Sequence, residues 1–396
     1  VTLSAGPDVI LRGLIGYDNV KPYSVMILII SLAYICISLE HSGFFEHISL
    51  KVARGAGNSG RRLFLLIFFL TIILTFFMDN NVIILTMTFI ILHIARNTGM
   101  NPLPFLLSQF FAVNISGMAL YIGNPTNIIA ADAAGISFVE HAKWMVLPSV
   151  VSAAVCLAIL WLMFRRSISG TMTGFVLPRT ALGDREGAVF GLSMLVLSLF
   201  FMSLPQDLTG LPIWAFPSIF AVAVFLRDAF RHRSRVSAIA SKVPWRIVPF
   251  LIGLFAIAES LASTGWTSLL ASGISPFLGN AFSAVMVMCF ASSFAASMIN
   301  NHPMVVIFTR TLQNSQLQNP QRLASHLALI AGSNFGANLT LVGALAGMMW
   351  AGILADRGLP ISFSSFSRYG LAVMIPVMLA ASMTLFLELA LWGGGL

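Results

Sequence analysis

Long apolar blocks alternate with short polar or basic stretches along this chain, as at 25–38 and 63–78, with no period-two alternation inside the blocks. A helix that crosses lipid needs roughly 20 apolar residues, whereas membrane strands alternate apolar and polar positions. The blocks therefore predict spanning helices at 23–39, 63–78, 82–94, 103–134, 144–164, 189–204, 211–225, 247–262, 281–299, 304–312, 323–354 and 369–392, with a weakly amphipathic piece over 264–278.

Polar interruptions divide several of these blocks, at 79–81, 123–127, 300–303 and 333–338. Basic stretches at 41–62 and 227–246 are cytoplasmic by the positive-inside rule, and Arg62 and Arg96 bracket the unit between them. That unit is then a re-entrant hairpin with its polar tip inserted. Each half of the chain runs span, amphipathic piece, broken hairpin, broken span, final span. Met78-Asp79-Asn80-Asn81 in one half matches Met298-Ile299-Asn300-Asn301 in the other. The basic stretch follows the opening span in the first half and precedes it in the second, so the copies have opposite orientation. The expected fold is an all-α polytopic membrane protein, an inverted repeat of re-entrant hairpins and broken helices with scaffold and transport domains. Its parts are a first repeat at 1–166, a cytoplasmic linker at 167–185 and a second repeat at 186–396. Because two extra spans open the second copy, two helices are expected ahead of Val1.

Composition excludes a soluble protein. Of 396 residues, 58% are hydrophobic and 9% charged, against about 25% charged in ordinary soluble chains, and mean hydropathy is +0.90. The net charge of +8 comes from basic stretches between spans rather than from one polar face, so membrane topology explains it and nucleic acid is no partner. Cys36, Cys156 and Cys289 stand singly in apolar segments without disulfide or metal spacing. There is no Gly-x-x-x-x-Gly-Lys-Ser/Thr loop for ATP, and neither hairpin resembles a carbonyl-lined filter. The sequence reads as a secondary carrier in the cell's inner (plasma) membrane, not an enzyme, with no cofactor or metal.

Inside lipid, backbone can leave the helix only where side chains, water or solute satisfy its freed groups. Four breaks in matching positions predict a mid-membrane site for one small polar solute, bound by Asn80, Asn81, Asn124, Thr126, Asn127, Asn300, Asn301, Ser333, Asn334, Asn338 and Thr340. Asp79 is the carboxylate at a hairpin tip, and an acid within the membrane is costly unless it functions; it also suits an N-cap for the helix that follows. Asp79 and His302 are the expected proton-coupling groups, His302 because imidazole titrates near neutral pH. Glu40, Glu259 and Glu388 are expected at the membrane interface, and Arg310 and His93 to snorkel.

The runs Ser42-Gly43-Phe44-Phe45-Glu46, Val52-Ala53-Arg54, Gly60-Arg61-Arg62-Leu63-Phe64, Phe77-Met78-Asp79-Asn80, Ile299-Asn300-Asn301-His302-Pro303 and Gly336-Ala337-Asn338-Leu339-Thr340 together carry a likeness over nearly the whole chain. It resembles the arsenical pump membrane permeases, the ArsB type of the ion transporter superfamily. The resemblance implies efflux of arsenite or antimonite as trivalent hydroxides, in exchange for protons or with an arsenite-stimulated ATPase partner, and relatives in that superfamily are in many cases homodimers. Two other readings stay open: a sodium/proton antiporter or other small-solute carrier of the same superfamily, and a non-transporting scaffold or channel.

Overall fold

The computed structural model describes residues 21–76, 80–170, 182–231 and 233–392, together with Leu11, Ile15 and Gly16. Asp79 lies outside the described residues, as does the side chain of Asn81.

The first half opens with α1 (Pro22–His41), where a proline in the first turn removes an N–H that a helix start cannot pair anyway. Gly43, at φ 83°, makes the turn into the amphipathic α2 (Phe44–Gly55). Then come α3 (Gly60–Thr75), capped by Ser59, and α4 (Asn80–Thr98). α5 (Leu103–Gly117) is buried from Pro104 to its end, and α6 (Pro125–Ala134) starts after the unwound segment that follows it. Ser137 caps the long α7 (Phe138–Phe164). The second half begins with α8 (Arg185–Met202), α9 (Ala215–Arg231) and α10 (Arg233–Lys242). It continues with α11 (Ile247–Ser263), α12 (Trp266–Ile274), α13 (Ala281–Ile299), α14 (Asn301–Asn314), α15 (Gln321–Leu339), α16 (Leu345–Asp356) and α17 (Phe363–Trp392).

The helices from α1 to α7 recur in order as α11 to α17, at nearly constant register. Asn80 and Asn300, Asn114 and Asn334, and Gly123 and Gly343 each stand 220 positions apart. α8 and α9 are the additional pair, and they pack against α1.

Two helices form the centre. α5 and α15 are buried around most of their circumference, the mark of a helix with protein on every side. α15 packs most intimately on α13, because a Cβ on Gly336 would fall 2.6 Å from the Ser293 carbonyl oxygen. Small residues permit this backbone approach where lipid offers no hydrophobic drive between helices. α1, α7, α8, α13 and α17 are each long and apolar enough to cross a membrane, as is the stretch Arg233–Ser263. Exposed apolar side chains such as Leu162, Phe200 and Leu391 cover the outside, and Phe230 is 86% exposed. Such a surface faces lipid rather than water.

Among the described residues the predicted spans fall on helices except at their ends, and the predicted breaks need correction. At 123–127 the unwound stretch is 118–124 instead, with Pro125–Asn127 already opening α6, and Asn80 and Asn81 already belong to α4. The segment 333–338 is not broken: α15 continues to Leu339, and the chain leaves the helix over Thr340–Ala344 around a short 3-10 turn, Leu341–Gly343. Ser333 Oγ and Asn334 Nδ2 bond the Ile330 carbonyl a turn back, at 2.8 and 2.9 Å, so these polar residues serve the helix instead of ending it. The break at 300–303 shrinks to Asn300, which takes φ 75° and caps α14 through His302 N. Asparagine tolerates that left-handed backbone better than most residues, and Pro303 sits in the first turn of α14, where no N–H is missed.

The basic stretch before α11 does more than mark topology. Arg227 lies 3.2 Å from Asp184 and 3.3 Å from Asp228, and Arg235 lies 3.4 Å from Asp184. Ser38 Oγ donates to Asp228 at 2.7 Å, and Lys242 stands 3.6 Å from Glu40. Together these tie α8, α9 and α10 to the end of α1.

Candidate functional site

The site grows from the two unwound segments. After Gly117 the chain leaves the helix until Asn124 caps α6, and after Leu339 it does so until α16 begins at Leu345. A Cβ on Gly123 would collide with the Gly117 carbonyl, and one on Gly343 with the Gly336 carbonyl. The same backward fold of the chain onto its own helix end is thus built twice, and glycine is required at both places.

Each hairpin tip docks on the break of its own copy. Asn80, heading α4, donates to Asn114 Oδ1 at 3.2 Å and lies against Gly117. In the second copy, Thr340 Oγ1 donates to the Ser297 carbonyl at 2.6 Å and Asn300 Nδ2 to the Val342 carbonyl at 3.3 Å.

The copies are then joined through α15. Asn114 Nδ2 donates to Asn338 Oδ1 at 2.8 Å, and Asn338 Nδ2 donates to the Phe111 carbonyl at 3.3 Å. One turn earlier, Asn124 donates to Asn334 Oδ1 at 3.0 Å and Asn334 to Asn127 Oδ1 at 2.8 Å, while Thr126 and Ser333 share a hydroxyl contact of 3.0 Å. Asn127 returns to the break, donating to the Gly117 and Leu120 carbonyls at 2.7 and 2.9 Å. Buried amides are costly unless bonded. This set is connected, and its members are uncharged amides, hydroxyls and backbone groups. The N–H groups at the starts of α6 and α16 face the breaks, adding the positive ends of two half-helix dipoles.

The structure thus brings Asn80, Asn124, Thr126, Asn127, Ser333, Asn334, Asn338 and Thr340 into one neighbourhood, with Asn300 at its edge. Asn301 is buried beside it, its Oδ1 2.9 Å from His302 Nδ1. His302 Nε2 is buried and has no hydrogen-bond partner among the described residues, and its ring meets Phe250 edge-on. Asn114 was not expected here. It lies inside a largely apolar run that also holds Ser108, Gln109 and Ser116, and an amide at mid-span is the signal that would have found it.

Three charged residues depart from expectation. Glu259 and Arg310 are covered by protein instead of standing open to headgroups: they form a largely buried pair at 3.1 Å that joins α11 to α14. Glu388 is buried as well, at 3% exposure. All three lie on helix faces covered by neighbouring helices, which position along a span does not reveal.

Interlocked, partly unwound helices whose polar groups meet between lipid-facing walls are the architecture of a membrane transporter. The chain belongs to the citrate transporter family (CitMHS), whose profile matches residues 9–329. It is 27% identical over 370 residues to the arsenical pump membrane protein of Yersinia enterocolitica, covering 91% of this chain and 85% of that one, and equally similar to its Escherichia coli namesake. A 46 kDa membrane protein of Mycobacterium leprae is 27% identical over 92% of this chain and 86% of its own. The fold is similar to the crystal structure of the YdaH transporter of Alcanivorax borkumensis, with a TM-score of 0.67 at 14% identity, covering 98% of this chain and 89% of that one. These findings agree with the likeness to arsenical pump permeases read from the sequence and with an all-helical polytopic fold.

Proposed function

We propose that this transporter exports arsenite and antimonite across the plasma membrane as their neutral trivalent hydroxides, in exchange for protons. The observation that supports this reading best is the uncharged character of the amide network. A trivalent hydroxide offers three O–H groups, each able to donate and accept, and matches amides and hydroxyls without requiring a counter-charge. A citrate trianion needs arginine or lysine at the site. Among the described residues the network contains neither, and the neighbouring cation Arg310 is engaged by Glu259. The names of the relatives point the same way.

In this reading the substrate displaces part of the Asn80, Asn124, Asn127, Asn334 and Asn338 network, Thr126, Ser333, Thr340, Asn300, Asn301 and Asn81 complete its surroundings, and Asp79 and His302 carry the coupling protons. Residues 1–166 and 186–396 act as the opposed copies about the linker 167–185. Proteoliposomes loaded with a pH dye test it: arsenite added on the cytoplasmic face should drive proton movement. Sodium-driven proton movement insensitive to arsenite would establish the antiporter reading instead.

A further inference from the structure

The first break is also held by a second set of polar groups, none of them on α15. Tyr121, in the middle of the unwound segment and 1% exposed, donates its hydroxyl to Asp132 on α6. His141 on α7 places Nε2 3.0 Å from the Met118 carbonyl, and its ring packs edge-on against Tyr121 at 6.0 Å. With Asn127, these side chains hold the segment at Gly117, Met118, Leu120 and Tyr121. Among the described residues the second copy has none of this. At the corresponding places stand Leu341, Gly352 and Phe366 in place of Tyr121, Asp132 and His141, Phe366 being the fourth residue of α17 as His141 is of α7. A titratable brace on one copy of a repeated fold is hard to explain by folding needs that both copies share, since the second break closes without it.

We propose that Asp132, positioned by Tyr121, is a proton-carrying group that latches the first break and links its opening to proton entry from the non-cytoplasmic side. This rests on the proton-exchange reading above and adds a coupling site to it. With the carboxylate ionised, Tyr121 donates to it and the segment is clamped to α6. A proton taken up by the carboxylate removes its charge and weakens that charge-assisted bond, which frees the segment; release of the proton to the cytoplasm restores it. The charged and titratable groups on the elements packed around α6 are few. Lys21, at the head of α1, acts on Asp132 through space, and the ring of His326 on α15 bonds the Ala130 backbone. His302 and Arg310 lie on α14, the latter paired with Glu259.

Infrared difference spectra of the purified protein in lipid, taken between acidic and alkaline buffer without substrate, test the carrier itself. The expected result is a protonated-carboxyl carbonyl band that is lost in Asp132→Asn and shifted in Tyr121→Phe; a band unchanged in both variants overturns the proposal. Transport supplies the second arm, with Tyr121→Phe as the milder variant should Asp132→Asn fail to fold. Accumulation of arsenite driven by a pH gradient should fall about tenfold, within the usual range for coupled sites, while arsenite counterflow without a gradient persists. Equal loss of both in Tyr121→Phe marks a purely structural brace and contradicts the proposal. Absence of arsenite counterflow in the unaltered protein would instead overturn the substrate reading, leaving the infrared result to decide the fate of Asp132.

Discussion

Asn114 and Asn338, 224 positions apart in sequence, share a buried hydrogen bond of 2.8 Å between the central helices of the two copies. Asn114 also receives the Asn80 amide, so a hairpin tip, a central helix of the first copy and a central helix of the second meet through one side chain. Alanine at 338 takes away one of the two acceptors of Asn114 Nδ2 and leaves it the Phe110 carbonyl at 3.2 Å, a loss of about 0.5–1.5 kcal/mol. Thermal unfolding in detergent should show this for each single variant. The double variant Asn114→Ala/Asn338→Ala should cost less than the sum, with a coupling of about 0.5–3 kcal/mol.

Gly123 and Gly343 close the two breaks by approaching carbonyls that a Cβ would strike. Gly123→Ala and Gly343→Ala should each abolish transport in vesicles. Gly253→Ala, on the open side of α11 with nothing within 4 Å, is the control that should retain it.

The Glu259–Arg310 pair predicts a rescue. Removing either partner leaves a charge largely buried, which costs about 3–5 kcal/mol in comparable pairs. Glu259→Leu and Arg310→Leu should each lower the melting temperature sharply, and the double variant should recover most of the loss.

The basic stretch contains ion pairs of unequal value. Arg231 and Glu186 meet at 2.8 Å but are 65% and 74% exposed, so Arg231→Ala should change stability by about 0–1 kcal/mol and become undetectable in high salt. Arg227, mostly covered and facing both Asp184 and Asp228, should cost several times more when truncated.

Much of this molecule is legible in its sequence because lipid imposes strict rules. A run that must satisfy its own backbone becomes a helix, so the spans and their repeat could be read directly, and Asn80 with Asn300 announces the register, whereas the match of Gly123 with Gly343 emerges only once the second break is seen at Thr340–Ala344. The breaks were less legible. Ser333 and Asn334 look like helix breakers, yet they fold their polar groups onto the preceding turn, and the true break falls at Thr340, whose hydroxyl serves Ser297 in another helix. Which partner a buried polar group finds is a property of packing. That is why the burial of Glu259, Arg310 and Glu388 could not be read from their positions, and why Asn114, an amide at mid-span like Gln109, shows that it needs a partner without showing that the partner lies in the other half.

Arsenite uptake into everted membrane vesicles, measured with competing solutes and in Asn334→Ala and Asn338→Ala, tests the central claim most directly. The account predicts saturable uptake competed by antimonite and not by citrate, and lost in both variants while they remain folded. Uptake that citrate suppresses, or that survives removal of both amides, would contradict a shared uncharged site at the meeting of the two copies.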